Sequence, residues 1–211
     1  MIRYRLIVIS ILILCSSFET VQCSVSLEGK YGSDSTTCVQ NLSLVREFMK
    51  QKNYIDAVRP WREAYLNCPK SSKNIYIDGS KLFKHLIKKS KNDQDLQSSL
   101  IDSLMLMYDH RISIFGQEGY VLGLKGSDML KFLPEKSQEA FELLKKSIDL
   151  EGSKSKAKAL AAYFQSAINK YEVGTFEKAE VLEVYSIVSN YIDYNISKDG
   201  KSKKYYEQAS E

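Results

Sequence analysis

Gly116, Gly119, Gly123 and Gly126 make the one glycine-rich stretch of this chain, FGQEGYVLGLKGSD, and a phosphate-cradling loop is the first chemistry to test there. Such a loop needs a Gly-Lys-Ser/Thr run after an apolar strand, so that backbone amides, an ammonium and a hydroxyl converge on phosphate oxygens. Here Lys125 precedes Gly126 and no strand leads in, whereas Gly119, Gly123 and Gly126 share one face of a helix and let a neighbouring backbone come close. The two histidines, His85 and His110, stand far apart and outside any H-E-x-x-H or C-x-x-C setting, so no metal site is expected. No Gly-x-Ser-x-Gly elbow is present, and the Asp109-His110-Arg111 cluster reads as a wet helix face and not a catalytic dyad. The expectation is a chain with no catalytic residues and no cofactor.

The four cysteines bear on compartment. Arg3 and Arg5 precede an apolar run, Leu6 to Leu14, which is short for a membrane span and is followed at once by the polar SSFETVQ. This reads as a secretory signal peptide over 1–23, with retention as an N-terminal anchor the alternative. Gln22 before Cys23 and Leu14 before Cys15 argue against a lipid anchor. Cleavage after Cys23 leaves Cys38 and Cys68 in an oxidising compartment, either bridged or as two free thiols. If helices run from about Asn41 to Lys52 and from Tyr54 to Asn67, an antiparallel hairpin returns Cys68 to the level of Cys38, where a bridge would contribute on the order of 3 kcal/mol. The charge is mild: 30 basic and 26 acidic side chains, and about +3 net once Arg3, Arg5 and Glu19 are removed. Nucleic acid is therefore not expected as a partner, and the basic run Lys198 to Lys204 lacks the aromatic interleaving that stacks on bases.

The elements that position these residues are helical throughout, and no strand is expected. A polar leader, 24–37, is expected to be flexible, with a repeat domain over 38–197 and a basic tail or a further helix over 198–211. Breakers fall at Lys52-Asn53, Cys68-Pro69-Lys70, Lys91-Asn92-Asp93, Gly116 to Gly119, Leu133-Pro134, Gly152-Ser153 and Gly174-Thr175. Between them lie eight helical segments, which pair into about four hairpins. Ala57, Trp61 and Ala64 fall at i, i+4 and i+7 with Pro69 just beyond, a face of small and large residues against which a second helix lies close. Fourteen tyrosines fill gaps between helices or anchor a partner in a groove.

Leu44, Val45 and Phe48 map onto Asp78, Gly79 and Leu82 at a period of about 34 residues, and Leu44, Phe48, Tyr54, Ala57, Trp61, Ala64 and Pro69 follow the residue types of the tetratricopeptide repeat (TPR). The chain resembles that family. CVQNLSLVREFMKQKNYIDAVRPWREAYLNCP, FGQEGYVLG and LKKSIDLEG also look like exported TPR proteins of the Bacteroidetes type, members of which continue well past this length. The resemblance implies an all-α, right-handed superhelical solenoid of antiparallel hairpins. Its first helix of each pair would line a concave groove with Leu42, Arg46, Met49 and Lys50, then Tyr76, Ser80 and Lys84. Leu42 and Arg46 replace the lysine and asparagine of the carboxylate-clamp version, so that role is not expected. Asp34-Ser35-Thr36 resembles the short O-glycosylation motif of such exports. The function this implies is non-catalytic protein or peptide binding in the periplasm or at the outer membrane. The alternative is glycan or nutrient capture on the same scaffold, with Tyr76 or Tyr163 stacking on sugar rings.

Overall fold

The computed structural model describes residues 29–198 and 200–210, so the apolar stretch and cleavage position over 1–23 lie outside it. The described residues hold nine α-helices and no strand: α1 (Ser35–Lys50), α2 (Tyr54–Asn67), α3 (Asn74–Lys89), α4 (Gln94–Phe115), α5 (Glu118–Phe132), α6 (Ser137–Glu151), α7 (Ala157–Glu172), α8 (Lys178–Ser197) and α9 (Lys203–Ser210). None of them is long and apolar enough to cross a membrane.

Several helix ends have a local cause. Asp34 caps α1, its carboxylate accepting from the Thr37 amide at 2.9 Å, and this starts the helix six residues before the expected Asn41. The last residues of the expected leader are therefore helical. Gly32 ahead of them has a positive φ of 72° and lies so close to the Asn67 carbonyl that a side chain there would collide with it. The α1 helix closes in a Schellman turn, with Asn53 N–H donating to Phe48 O at 2.9 Å and Lys52 N–H to Met49 O at 3.2 Å. Lys52 occupies the left-handed position, φ 57°, that glycine prefers. At the end of α7 the same turn recurs with Gly174 in that position, Thr175 N–H donating to Lys170 O and Gly174 N–H to Tyr171 O. Pro60 lies inside α2, where it removes one amide donor, yet the helix continues to Asn67 on the packing of Ala57, Trp61 and Ala64.

Successive helices pack as antiparallel pairs, α1 on α2, α3 on α4, α5 on α6 and α7 on α8, with α9 lying on α7 and α8. The first pair is closed by a disulfide between Cys38, at the start of α1, and Cys68, at the end of α2, with Cα atoms 6.2 Å apart. In the second, Gln97 near the start of α4 donates to Ile87 O near the end of α3. In the fourth, Asn195 near the end of α8 donates to Ser153 O ahead of α7. The first two pairs are joined by Trp61. Its indole N–H donates to Ile75 O at 2.8 Å, its ring meets Phe83 edge-on, and a Cβ added at Gly79 would sit 2.7 Å from both Trp61 Nε1 and Met107 Sδ.

The α5–α6 contact is the tightest. A Cβ at Gly119, Gly123 or Gly126 would press on Leu150, Ser147 and Leu144 respectively, and the Ser147 hydroxyl donates across the gap to Gly119 O at 2.7 Å. The glycine-rich stretch is thus a packing seam. Buried apolar residues form one core from Cys38 to Ala140 and a second from Phe141 to Tyr206, meeting within α6. Burial of Leu, Ile, Val, Tyr and Met side chains at about 1.5–3 kcal/mol each supplies the main driving force.

Candidate functional site

Where α1 and α3 diverge, the structure leaves an open groove of about 360 Å³. Its apolar floor is Val45, Trp61, Ala64 and Ile75, the last two turned inward by the α2 face and the first turn of α3. Leu42 and Arg46 line it from α1, one turn apart, opposite Asn74 and Asp78 on α3. Arg46 is exposed, whereas Asp78 is engaged by Lys81 at 3.1 Å. Ser71, 4% exposed, lines the groove from the α2–α3 connection, and its hydroxyl has no hydrogen-bond partner among the described residues. A buried unsatisfied hydroxyl is costly, on the order of 1–3 kcal/mol, and a bound hydrogen-bonding group relieves it.

The other residues assigned to the groove lie elsewhere. Met49 is half-buried against the core, and Lys50 is exposed beside Glu47 at 3.9 Å, beyond the groove lining. Tyr76 is a core residue, 1% exposed, set edge-on to Tyr65 and Phe115. Burial, with the neighbouring Tyr65 phenol second, pushes its hydroxyl up to about 12. Ser80 is also buried, its hydroxyl donating to Ile77 O at 2.9 Å. The reason is that α3 is covered by α2 on one side and α4 on another, so only the Asn74–Asp78 strip faces the groove. Tyr163, 4% exposed, packs on Phe141 and offers no face to a sugar ring, and Tyr76 offers none either. Leu44, expected at a large apolar repeat position, is 48% exposed, and Val45 takes the core place beside it.

Lys84 belongs to a second constellation that the sequence reading missed. Asp128 on α5, 1% exposed, accepts from Lys84 of α3 at 2.9 Å, from Lys158 of α7 at 2.8 Å and from the Tyr108 hydroxyl of α4 at 2.6 Å. Burial alone would raise its pKa, but the ammonium groups of Lys84 and Lys158 and the Tyr108 hydroxyl outweigh burial and hold the carboxyl below its ordinary value. Burial, then the Asp128 charge, drives the Tyr108 hydroxyl far upward. A carboxylate that accepts from three donors on three other helices ties α3, α4, α5 and α7 together. The signal for it was readable in α5, YVLGLKGSDMLKF: a helix apolar or small on nearly all sides must bury any charge it carries and supply that charge with partners.

His110, placed on a wet face, is exposed and meets the Tyr65 hydroxyl through Nδ1 at 2.5 Å. Among the described residues no three His, Cys, Asp or Glu side chains gather as metal ligands would. No protein-family model matches the chain, and neither curated proteins nor solved structures yield a match.

Proposed function

We propose that the chain is an exported, TPR-like solenoid that binds a segment of a partner protein in the α1–α3 groove, without catalysis. The observation that carries this reading is the groove itself: an apolar floor, the exposed guanidinium of Arg46 beside Leu42, and a buried Ser71 hydroxyl with no partner among the described residues. Such a mixture suits a peptide, whose side chain takes the floor while its backbone carbonyl accepts from Arg46. The solenoid reading rests on repeated antiparallel pairs together with the packing of α5 on α7 and of α7 on α9, which sets alternate helices in one layer. Export, to the periplasm or the outer membrane of a Bacteroidetes-type cell, is supported by the Cys38–Cys68 bond and by the charged-then-apolar run at Arg3 to Leu14. Burial of Tyr76 and Tyr163 weakens the glycan alternative.

Site-specific photo-crosslinking in native envelopes tests the proposal. A photoreactive residue at Ser43, on the groove, is expected to give a discrete protein adduct that one at Leu106, on the exposed face of α4, does not. Arg46→Glu is expected to reduce that adduct several-fold, while Lys50→Glu, outside the groove, leaves it unchanged. Equal labelling from both positions, or indifference to Arg46→Glu, refutes the groove as the binding site.

A further inference from the structure

At the corner between α4 and α5, two cations converge on one neutral oxygen. Gln117 Oε1 accepts from Lys73 Nζ at 3.2 Å and, weakly, from Arg111 Nη2 at 3.4 Å. Arg111 is 3% exposed, its guanidinium lies over the Tyr120 ring at 5.3 Å, and its Nε has no hydrogen-bond partner among the described residues. Neither Arg111 nor Lys73 has a carboxylate within ion-pair distance among the described residues. A buried guanidinium without an anion is expensive, and the usual remedy is a bidentate oxyanion.

The geometry points to such an oxyanion here. In a guanidinium, Nε–H and Nη2–H lie on the same edge and point the same way, a fork matched to two oxygens of a carboxylate or phosphate. Gln117 offers one uncharged oxygen to that edge, so Nη2 is poorly met and Nε is left unmet. Gln117 also stands at the N-cap of α5, a 15-residue helix whose first-turn amides receive no side-chain cap. The uncapped first-turn amides of that helix follow directly after Gln117 in the chain. Glu118, the nearest acid, is turned to Lys146 on α6 at 2.6 Å and does not compete. Gln117 is exposed, and its two hydrogen bonds here are long, 3.2 and 3.4 Å.

We propose that this corner is a binding site for a carboxylate or phosphate group, which displaces the Gln117 amide, bridges Lys73 and the Nε–Nη2 edge of Arg111, and rests on the α5 N-terminus. Gln117 then acts as an uncharged placeholder in the empty site.

Thermal melts and calorimetric titrations of the purified chain, with sodium phosphate and sodium acetate in separate arms against sodium chloride at matched ionic strength, test this. A saturable rise in Tm with phosphate, acetate or both is expected, and the stronger arm identifies the ligand class. Lys73→Ala, at a partly exposed position that folding tolerates, is expected to weaken binding at least five-fold, and Arg111→Met to abolish it. Gln117→Glu, which supplies a carboxylate from within, is expected to raise Tm without added anion and to cancel the response, whereas Gln117→Ala keeps it. The proposal is overturned if neither anion gives a saturable response, or if the response persists unchanged in Lys73→Ala and Gln117→Glu.

Discussion

Replacing Asp128 by asparagine is the most informative perturbation of this fold. The carboxylate is 1% exposed and receives three donors from three other helices, so the substitution removes a buried charge and sets an amide N–H₂ against at least one ammonium. Breaking one side of a buried ion pair costs about 3–5 kcal/mol. The Lys158 side chain is 58% exposed and Lys84 29%, so both recover hydration, which places the expected loss at the lower end of that range, about 3 kcal/mol. For a chain of this size that corresponds to a Tm lower by about 6–12 °C.

The pH dependence separates the charge from mere packing. Because the folded pKa of Asp128 lies below its unfolded value, its stabilisation is fully present above the unfolded value of about 3.9 and is lost as pH falls through the folded one. Urea titrations followed by circular dichroism on wild type and Asp128→Asn should give a free-energy gap that is flat from about pH 5 to 8 and narrows below about pH 4. Lys158→Met, at the more exposed partner, should cost less than about 1 kcal/mol. A gap under about 1 kcal/mol at neutral pH, or one that persists undiminished into acid, would falsify the assignment of Asp128 as the tie between α3, α4, α5 and α7.

The two Schellman turns offer a paired test: Lys52→Gly should stabilise the chain and Gly174→Ala destabilise it, each by about 1 kcal/mol in chemical denaturation, because both positions have positive φ. Equal and negligible effects would remove backbone strain as the explanation. Stability should also fall as pH rises from about 10 toward 12, since burial raises Tyr76 and Tyr163 to about 12 while the unfolded phenols ionise near 10. Tyr76→Phe should flatten that fall and, by deleting a buried hydroxyl with no partner, leave the protein at least as stable at neutral pH; a steeper alkaline loss in this variant would contradict the reading.

Helix boundaries were legible because their determinants are local. Asn53, Pro69, Asn92, Pro134 and Gly174 each sit in or beside a connection between helices, and the Ala57–Trp61–Ala64 face is buried as its spacing required. The Cys38–Cys68 pairing followed from the same hairpin geometry. The α1 helix starts earlier than its apolar spacing implies, because STTC carries no apolar period and the signal there is Asp34, which caps the helix three residues before Thr37. Of the residues expected along a groove, Leu42 and Arg46 lie on the α1 side of the open depression, whereas Tyr76 and Ser80 on α3 are buried. A repeat offset carries a position from one helix to the next but does not say how many neighbours cover it, and the Tyr76–Ser80 side of α3 is enclosed by α4 as well as α2. Lys84 illustrates the same limit, since its partner lies on α5, 44 residues away in sequence. Pairings at that distance depend on how hairpins stack, which no local spacing encodes.

The Cys38–Cys68 bond also sets a direction on how this array comes apart. The helices pack on neighbours one or two elements away in the chain, so stretches of the array are able to open while others stay closed. Covalent closure of the loop spanning α1 and α2 keeps their ends together even when their side chains loosen, and it makes that pair the quickest to re-form. The α8–α9 region has no such weld and rests on the smaller second core. Loss of order is therefore expected to begin at α8–α9 and to reach the α1–α2 pair, which carries Leu42 and Arg46, last, a course that amide hydrogen exchange checks.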